Sequence, residues 1–494
     1  MGDNPLVKKE YTLNGDWPLS PEQNDGVRFL LTKFNAILAF QAGFGKTYTS
    51  LTAAQHILNF RKDFICIVIC PKAANSIFKK EISEKIKMSY SMQTANEKTD
   101  VKGSRYVIFN PTKLDLLKTY LLRLDKKVHI VVVIDEAHWL QNKKTYQSKI
   151  MWDLRGRFKC VFALTATPVL NHLEGMFNVV NYVKPGFFPS WNRFKNNYMI
   201  TKVRMMRRGG RMIKFDEVVG YKNTEALAKL LESVSIIRRK TYNLKFFYLK
   251  TEMDVEETRN YRIASEGILD SLYRESSTKE KDFGPRLHDL QRIVDGSHEL
   301  TKTTTANNKE KELVRCLREI LDKEESVLIY AEYESTYSRL SKLLNVAKNR
   351  KILNIDRIYM ITGKVKIKER VEVERNLSKK SIVIITRAGS QSINLKNANN
   401  VIFYDIPFSV GTFIQVLGRI TRMDGTYEFQ NIYLLEVDGT IDTYKRMLIQ
   451  DHADLIKKLF GEESNLPEVR QIDRKFMNKL KKKMLWNYRP KKGA

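Results

Sequence analysis

The sequence predicts an α/β protein built as two parallel-sheet lobes in tandem, joined by a linker. Three observations carry that expectation. The first 200 residues alternate short apolar runs with longer amphipathic stretches, the rhythm of βαβ units around a parallel sheet. A polar, turn-rich segment lies at 295–311, DGSHELTKTTTANNKEK. Beyond it the first rhythm returns. With 494 residues and 43% hydrophobic side chains, the chain can hold two or three domains with sizeable cores.

In the first lobe the strand candidates are AILAF (36–40), FICIVIC (64–70), YVIF (106–109), IVVVI (130–134) and CVFAL (160–164). Their near-continuous hydrophobicity suits strands covered by helices on both faces. From 201 to 220 the texture changes to TKVRMMRRGGRMIKFDEVVG, two short runs flanking Gly209-Gly210, which is a β-hairpin signal. Residues 222–300 read as helical. The second lobe's candidates are SVLIYA (326–331), RIYMIT (357–362), SIVIIT (381–386), NVIFYD (400–405) and NIYLLEV (431–437). The expected division is lobe 1 over 1–240 with the hairpin at about 201–220, a helical insertion and linker over 241–310, lobe 2 over 311–460, and a basic tail over 461–494. The last 24 residues carry nine basic side chains and one acid, which suits either a phosphate-tracking arm or a solubilising tail.

Charge is the loudest bulk signal. Lys and Arg number 86 against 56 Asp and Glu, a formal net charge of +30, and such a field draws polyanions, nucleic acid first. The longest apolar runs are strand-length, too short to span a membrane, and the polar start MGDNPLVKKEY lacks a signal peptide's apolar core. An intracellular protein is expected, cytoplasmic or nucleoid-associated, with no membrane partner. Cys66, Cys70, Cys160 and Cys316 show neither zinc spacing nor a disulfide framework and read as buried, reduced thiols.

Four constellations carry chemistry. QAGFGKTYTS (41–50) follows a strand and opens a helix, the setting of a phosphate loop, although Phe40 stands where the strict pattern has its first glycine. Gly43, Phe44 and Gly45 would cradle phosphates, Lys46 would reach the β- and γ-phosphates, and the Thr47 hydroxyl would bind magnesium. VVVIDEAHWL (131–140) ends a strand in Asp135-Glu136, one carboxylate for Mg²⁺ and one to orient or deprotonate water. CVFALTATPVLN (160–171) delivers Thr165, Ala166 and Thr167 to the same sheet edge, where small hydroxyl residues can sense the γ-phosphate. FIQVLGRITR (413–422) spaces Gln415, Arg419 and Arg422 at four and three, so one helical face would present them together, and one arginine could act as a finger.

Taken in order, these segments resemble the Swi/Snf-type superfamily 2 helicase-like ATPases. LSPEQNDGVRFLL (19–31) is similar to that group's opening segment, ICPKAANSIFKKEI (69–82) to its motif Ia, and LTATPVLNHLEGMFNVVNYVKPGFF (164–188) to its threonine–proline–asparagine loop. ITRAGSQSINLKNANNVIFYD (385–405), with the glutamine–arginine–arginine helix, resembles motifs V and VI. Residues 194–240 look most like the annealing-helicase, fork-remodelling branch. The resemblance implies two RecA-like lobes with a basic hairpin insert and helical insertions, ATP and Mg²⁺ as cofactors, and double-stranded and branched DNA as substrate. It assigns Gln23 to adenine, Glu136, Asp135, Arg419, Arg422 and Gln415 to catalysis, and Thr112, Lys113, Thr386 and Arg387 to the DNA backbone.

The hairpin carries Lys202, Arg204, Arg207, Arg208, Arg211 and Lys214 with Met205, Met206 and Met212 among them. Such a ribbon would either hold phosphates while apolar side chains unstack bases at a junction, or pack its methionines on the lobe. A monomer acting in replication, recombination or repair, in a bacterium, archaeon or virus, is expected. The alternatives are a motor that remodels protein–DNA complexes and a scaffold with a retired ATP site. With no reader domain recognisable, the DNA structure is favoured as target.

Overall fold

The computed structural model describes residues 12–13, 17–41, 43–85, 92–94, 104–165, 173–208, 211–238, 243–274, 283–297, 305–387, 389, 393, 395, 397–420, 427 and 429–460. A short antiparallel pair, β1 (Thr12–Leu13) and β2 (Trp17–Pro18), precedes α1 (Pro21–Lys33). The first sheet is then laid down as β3 (Asn35–Phe40), β4 (Phe64–Ile69), β5 (Met92–Thr94), β6 (Tyr106–Phe109), β7 (His129–Ile134) and β8 (Cys160–Leu164). The helices between them are α2 (Lys46–Phe60), α3 (Asn75–Lys80), α4 (Leu114–Arg123) and α5 (Tyr146–Leu154). After β8 come α6 (Leu173–Val183) and α7 (Trp191–Tyr198), the ribbon β9 (Met199–Arg208) and β10 (Arg211–Tyr221), then α8 (Thr224–Leu231) and β11 (Ser235–Arg238).

Seven strands form the first sheet in the order β11-β3-β8-β7-β4-β6-β5, all parallel. Every residue of β4 is buried, as a strand covered on both faces requires. Leu51, Ala54, Ile57 and Leu58 of α2 pack into the same core as Cys66, Val68, Val131, Val133 and Phe162. Parallel order places the carboxyl ends of β3, β7 and β8 side by side, where open α/β sheets bind ligands.

The second unit is built on another all-parallel sheet. It contains β12 (Asn243–Thr251), α9 (Val255–Arg274), α10 (Phe283–Val294), α11 (Asn308–Asp322), β13 (Val327–Tyr330), α12 (Glu334–Asn349) and β14 (Ile358–Ile361). It continues with α13 (Ile367–Asn376), β15 (Ile382–Ile385), β16 (Asn400–Phe403), α14 (Val410–Leu417), β17 (Phe429–Val437) and α15 (Ile441–Phe460). The strand order is β12-β17-β16-β13-β15-β14, with every pairing parallel. Leu313, Leu317 and Ile320 of α11 and Leu340 and Leu344 of α12 cover Val327, Ile329, Ile382, Ile384 and Ile402.

Two expectations are corrected. The stretch 222–300, read as helical, contains β11 and β12, and β12 pairs with β17 over nine residues. Its sequence NLKFFYLKT mixes charge with aromatics because it is an edge strand with Phe247 and Tyr248 partly exposed. The polar segment 295–311 is not solvated throughout: Asp295, Lys309 and Glu310 are buried. Lys309 Nζ donates to Asp295 at 2.9 Å and Asp442 at 2.8 Å, and Gln291 donates to Asp295 at 3.0 Å and Asp442 at 2.8 Å. These polar groups pair with one another, so hydrophobicity alone misses their burial.

All four cysteines are buried and unbridged, and burial pushes the Cys160 and Cys316 thiols up to about 12. Among the described residues no helix is long and apolar enough to cross a membrane. The tail beyond residue 460 lies outside the described residues.

Candidate nucleotide site and nucleic-acid contacts

The phosphate loop connects β3 to α2. β3 remains extended through Phe40, whose ring is buried and lies edge-on to Phe44 with centroids 6.3 Å apart. The turn is made later, at Gly43 (φ 94°) and Gly45 (φ 72°), in the left-handed region that glycine enters at little cost. Lys46 Nζ donates to the Phe40 carbonyl at 2.8 Å. Position 40 therefore serves the loop through its backbone and the core through its side chain. Gly45 caps the fifteen-residue α2, and Thr47 lies half-buried in its first turn, where N–H groups and the helix dipole favour an anion.

Gln23 sits directly on this loop. With Ser20 it forms a capping box at the start of α1: its N–H donates to Ser20 Oγ and its Oε1 accepts from the Ser20 N–H at 3.0 Å. Its Nε2 donates to the Phe44 carbonyl at 3.3 Å. A Cβ on Gly45 would lie 2.3 Å from that nitrogen, so a side chain there would displace the Gln23 amide from the loop besides straining a left-handed backbone. Arg238, at the end of β11, donates to Asp25 of α1 at 3.1 Å and accepts at its carbonyl from the Gln41 N–H at 2.9 Å, tying helix, strand and loop together.

Asp135 and Glu136 follow the carboxyl end of β7. Glu136 adopts a left-handed conformation (φ 49°, ψ 44°), a strained geometry for a residue with a side chain. His138 Nδ1 lies 3.2 Å from its carboxylate, a neighbour that sequence reasoning passed over although it stands two residues on. Burial, then the charge of Glu136, pushes the Asp135 carboxyl up to about 7, while the Lys46 ammonium pulls it down. Two adjacent carboxylates with excess negative charge, beside a hydroxyl-bearing helix start, form an oxygen-donor set suited to Mg²⁺. Thr165 is buried at the end of β8, whereas Ala166 and Thr167 lie outside the described residues.

In the second unit the expected helical face is corrected. α14 ends at Leu417, and the Arg419 N–H turns back to the Val416 carbonyl at 3.0 Å, so Arg419 lies beyond the helix that carries Gln415. Gly418, a poor helix former, stands at that break. The Arg419 guanidinium donates to the Ile393 carbonyl at 3.2 Å, and its own carbonyl accepts from the Leu395 N–H at 2.8 Å. Arg422 lies outside the described residues.

Of the expected backbone contacts, Thr112 and Lys113 are exposed in a 3₁₀ turn after β6. Thr386 is buried after β15, its Oγ1 accepting from the Gly389 N–H at 3.2 Å, and Arg387 beside it is exposed. Arg204, Arg207 and Arg208 lie on β9 and Arg211 on β10 of the two-stranded ribbon, where Val203, Met205 and Met212 are exposed. Met206 is on β9. Sequence reasoning also passed over Arg370, whose guanidinium donates to the carbonyls of Thr362 and Gly389. Only the fold brings those loops together.

Comparison with known proteins agrees with the motif order. Residues 17–253 match the SNF2-related domain and residues 309–424 the helicase conserved C-terminal domain. The chain is 24% identical over 483 residues to the SWI/SNF-related matrix-associated actin-dependent regulator of chromatin subfamily A-like protein 1 of Xenopus tropicalis, covering 95% of this chain and 48% of that one. It is 26% identical over 481 residues to an uncharacterized ATP-dependent helicase, YqhH, of Bacillus subtilis (92% and 81%). It is 23% identical over 442 residues to the DNA annealing helicase and endonuclease ZRANB3 of Bos taurus (86% and 39%). The chain thus spans about half the length of the first relative. A solved SWI2/SNF2 ATPase core from Sulfolobus solfataricus superposes loosely, with a TM-score of 0.41 and 20% identity over 93% of this chain and 100% of that one. With both domain models following one another along the sequence, the chain belongs to the SNF2-type helicase-like ATPases.

Proposed function

We propose that this protein is an ATP-driven motor on duplex DNA that remodels branched structures such as forks and four-way junctions. The observation that carries the motor reading is that Lys46 and Thr47 follow β3 while Asp135 and Glu136 follow β7, two strands of one parallel sheet that flank β8, close enough for the Lys46 charge to act on Asp135. Lys46 would exchange the Phe40 carbonyl for the β- and γ-phosphate oxygens. Glu136 would orient the attacking water and accept its proton, with the His138 ring 3.2 Å from its carboxylate. Thr47 and Asp135 would hold Mg²⁺, which supplies neutralisation of phosphate charge when bound.

Arg419 would serve as the finger only after giving up the Ile393 carbonyl, and Arg422 and Gln415 would assist it. Thr112, Lys113, Thr386 and Arg387 would grip the DNA backbone without reading its sequence. Two observations support the branched target: the exposed apolar side chains of a basic ribbon, and similarity to a relative named as an annealing helicase.

The test is ATP hydrolysis by the full chain on duplex, single-stranded, forked and four-way DNA. Stimulation by duplex and by branched DNA is expected, with Lys46→Ala and Glu136→Gln silent on all four. Hydrolysis indifferent to DNA would overturn the motor, and equal branch migration with and without ATP would overturn the remodelling role.

A further inference from the structure

At the carboxyl edge of the second sheet, the segments that follow β13, β14 and β15 line an open cavity of about 480 Å³. Two of its lining residues are cations, Lys364 after β14 and Arg387 after β15. Each faces an acid from the segment after β13. Lys364 Nζ lies 2.7 Å from the Glu334 carboxylate, and the Arg387 guanidinium lies 3.8 Å from that of Glu332.

Hydrogen bonds tie the wall together beneath these pairs. Arg370, 5% exposed, donates to the carbonyls of Thr362 at 2.9 Å, Val365 at 3.1 Å and Gly389 at 3.4 Å, which fastens the loops after β14 and β15 to one another. Glu332 is fixed too. Its Oε2 accepts from the Tyr330 hydroxyl at 2.6 Å, and its N–H donates to the Asp405 carboxylate at 2.7 Å. Its side chain is only 9% exposed, whereas Arg387 is 68% exposed, so the acid is set in the wall and the arginine reaches over it.

The Lys364–Glu334 pair is exposed on both sides, and such pairs add little to stability, so fold energy does not account for it at the cavity mouth. The electrostatic effect of the two pairs is definite: the four side chains sum to zero charge on a chain of +30. We propose that Glu332 and Glu334 are counter-charges that hold Arg387 and Lys364 in the DNA-free protein, so that a backbone phosphate seats in this cavity only by displacing them. Lys364 then joins Thr386 and Arg387 as a phosphate contact. The two acids weaken the grip of the second unit, which suits a motor that must release and retake the strand in each cycle. This inference rests on the reading of the chain as a DNA motor.

The experiment is fluorescence anisotropy of a labelled duplex against the full chain, from low to high salt. Glu334→Gln, on an exposed side chain that cannot threaten the fold, is expected to tighten binding about two- to five-fold at low salt. It should also steepen the log–log salt slope, by up to about 0.9 for a cation freed to meet a phosphate. Glu332→Gln should do the same more strongly, and Lys364→Ala in the Glu334→Gln background should cancel the gain. Unchanged affinity and slope in Glu334→Gln, or a gain that survives Lys364→Ala, overturns the counter-charge assignment while the motor reading stands. A wild-type chain that binds no duplex at any salt overturns the motor reading itself, and this inference with it.

Discussion

Phe40 stands where a strict phosphate loop has its first glycine, and its surroundings explain how a bulky residue serves there. Gly26 makes room for it: a Cβ at position 26 would lie 2.8 Å from the Phe40 ring. The Phe40→Gly variant, which restores the pattern, is expected to lose about 3–5 kcal/mol of stability by emptying a buried aromatic site. Nucleotide affinity should not improve, because Lys46 uses the backbone at this position. Denaturant midpoints and nucleotide titration of the same preparation check both halves. Asp135 gives a second expectation with a definite sign. Its carboxyl is raised to about 7, above the roughly 3.9 of an unfolded chain, so the folded state holds this proton longer. The associated stability is present below about pH 4 and is lost as pH rises through about 7. Thermal melts of the nucleotide-free protein should therefore fall more steeply over pH 5 to 8 than those of Asp135→Asn. Mg²⁺–nucleotide affinity, which needs the carboxylate, should rise over the same range and vanish in the variant.

At the scale of elements, the loops after β14 and β15 are held back to back. A Cβ on Gly389 would lie 2.0 Å from the Ile361 carbonyl oxygen, a clash with backbone that no rotamer relieves. Gly389→Ala should therefore push the β15 loop away, strip the Arg370 contact to the Gly389 carbonyl, and weaken duplex binding together with melting temperature. Arg370→Lys, which keeps the charge and loses the fork, should weaken binding with a smaller loss of melting temperature. The buried strands were legible because both faces of a parallel sheet demand unbroken hydrophobic runs, and β4, β6 and β8 lie within one residue of their apolar stretches. β12 was not, because an edge strand shows mixed texture. The ends of 295–311 were not, because hydrophobicity records no pairing between Asp295, Lys309 and Asp442. In the candidate site, spacing located Lys46, Thr47, Asp135 and Glu136, since local sequence makes both turns. It could not locate Arg370 or Glu332, whose partners come from strands brought together only by the sheet.

At the scale of the molecule, a net charge of +30 draws any phosphate backbone, so the proposed preference for branches needs a further feature. Charge alone draws duplex and junction alike. The ribbon β9–β10 offers one: Val203, Met205 and Met212 are 61–66% exposed, with basic residues among them in the sequence. Three exposed apolar side chains on one two-stranded ribbon offer a surface that a partner can cover. Unstacked bases at a junction would cover them, at a cost of a few kcal/mol per opened step that ATP turnover can offset. Replacing residues 201–219 by a Gly-Gly turn should abolish branch migration of a four-way junction while leaving duplex-stimulated hydrolysis within about two-fold, since no residue of the phosphate loop or of Asp135-Glu136 is touched. Changing Val203, Met205 and Met212 together to serine keeps every arginine and so isolates the apolar part. That variant should bind duplex with wild-type salt dependence and still fail to migrate junctions. If it migrates them at the wild-type rate, the ribbon acts through its charges alone and bases are not unstacked on it.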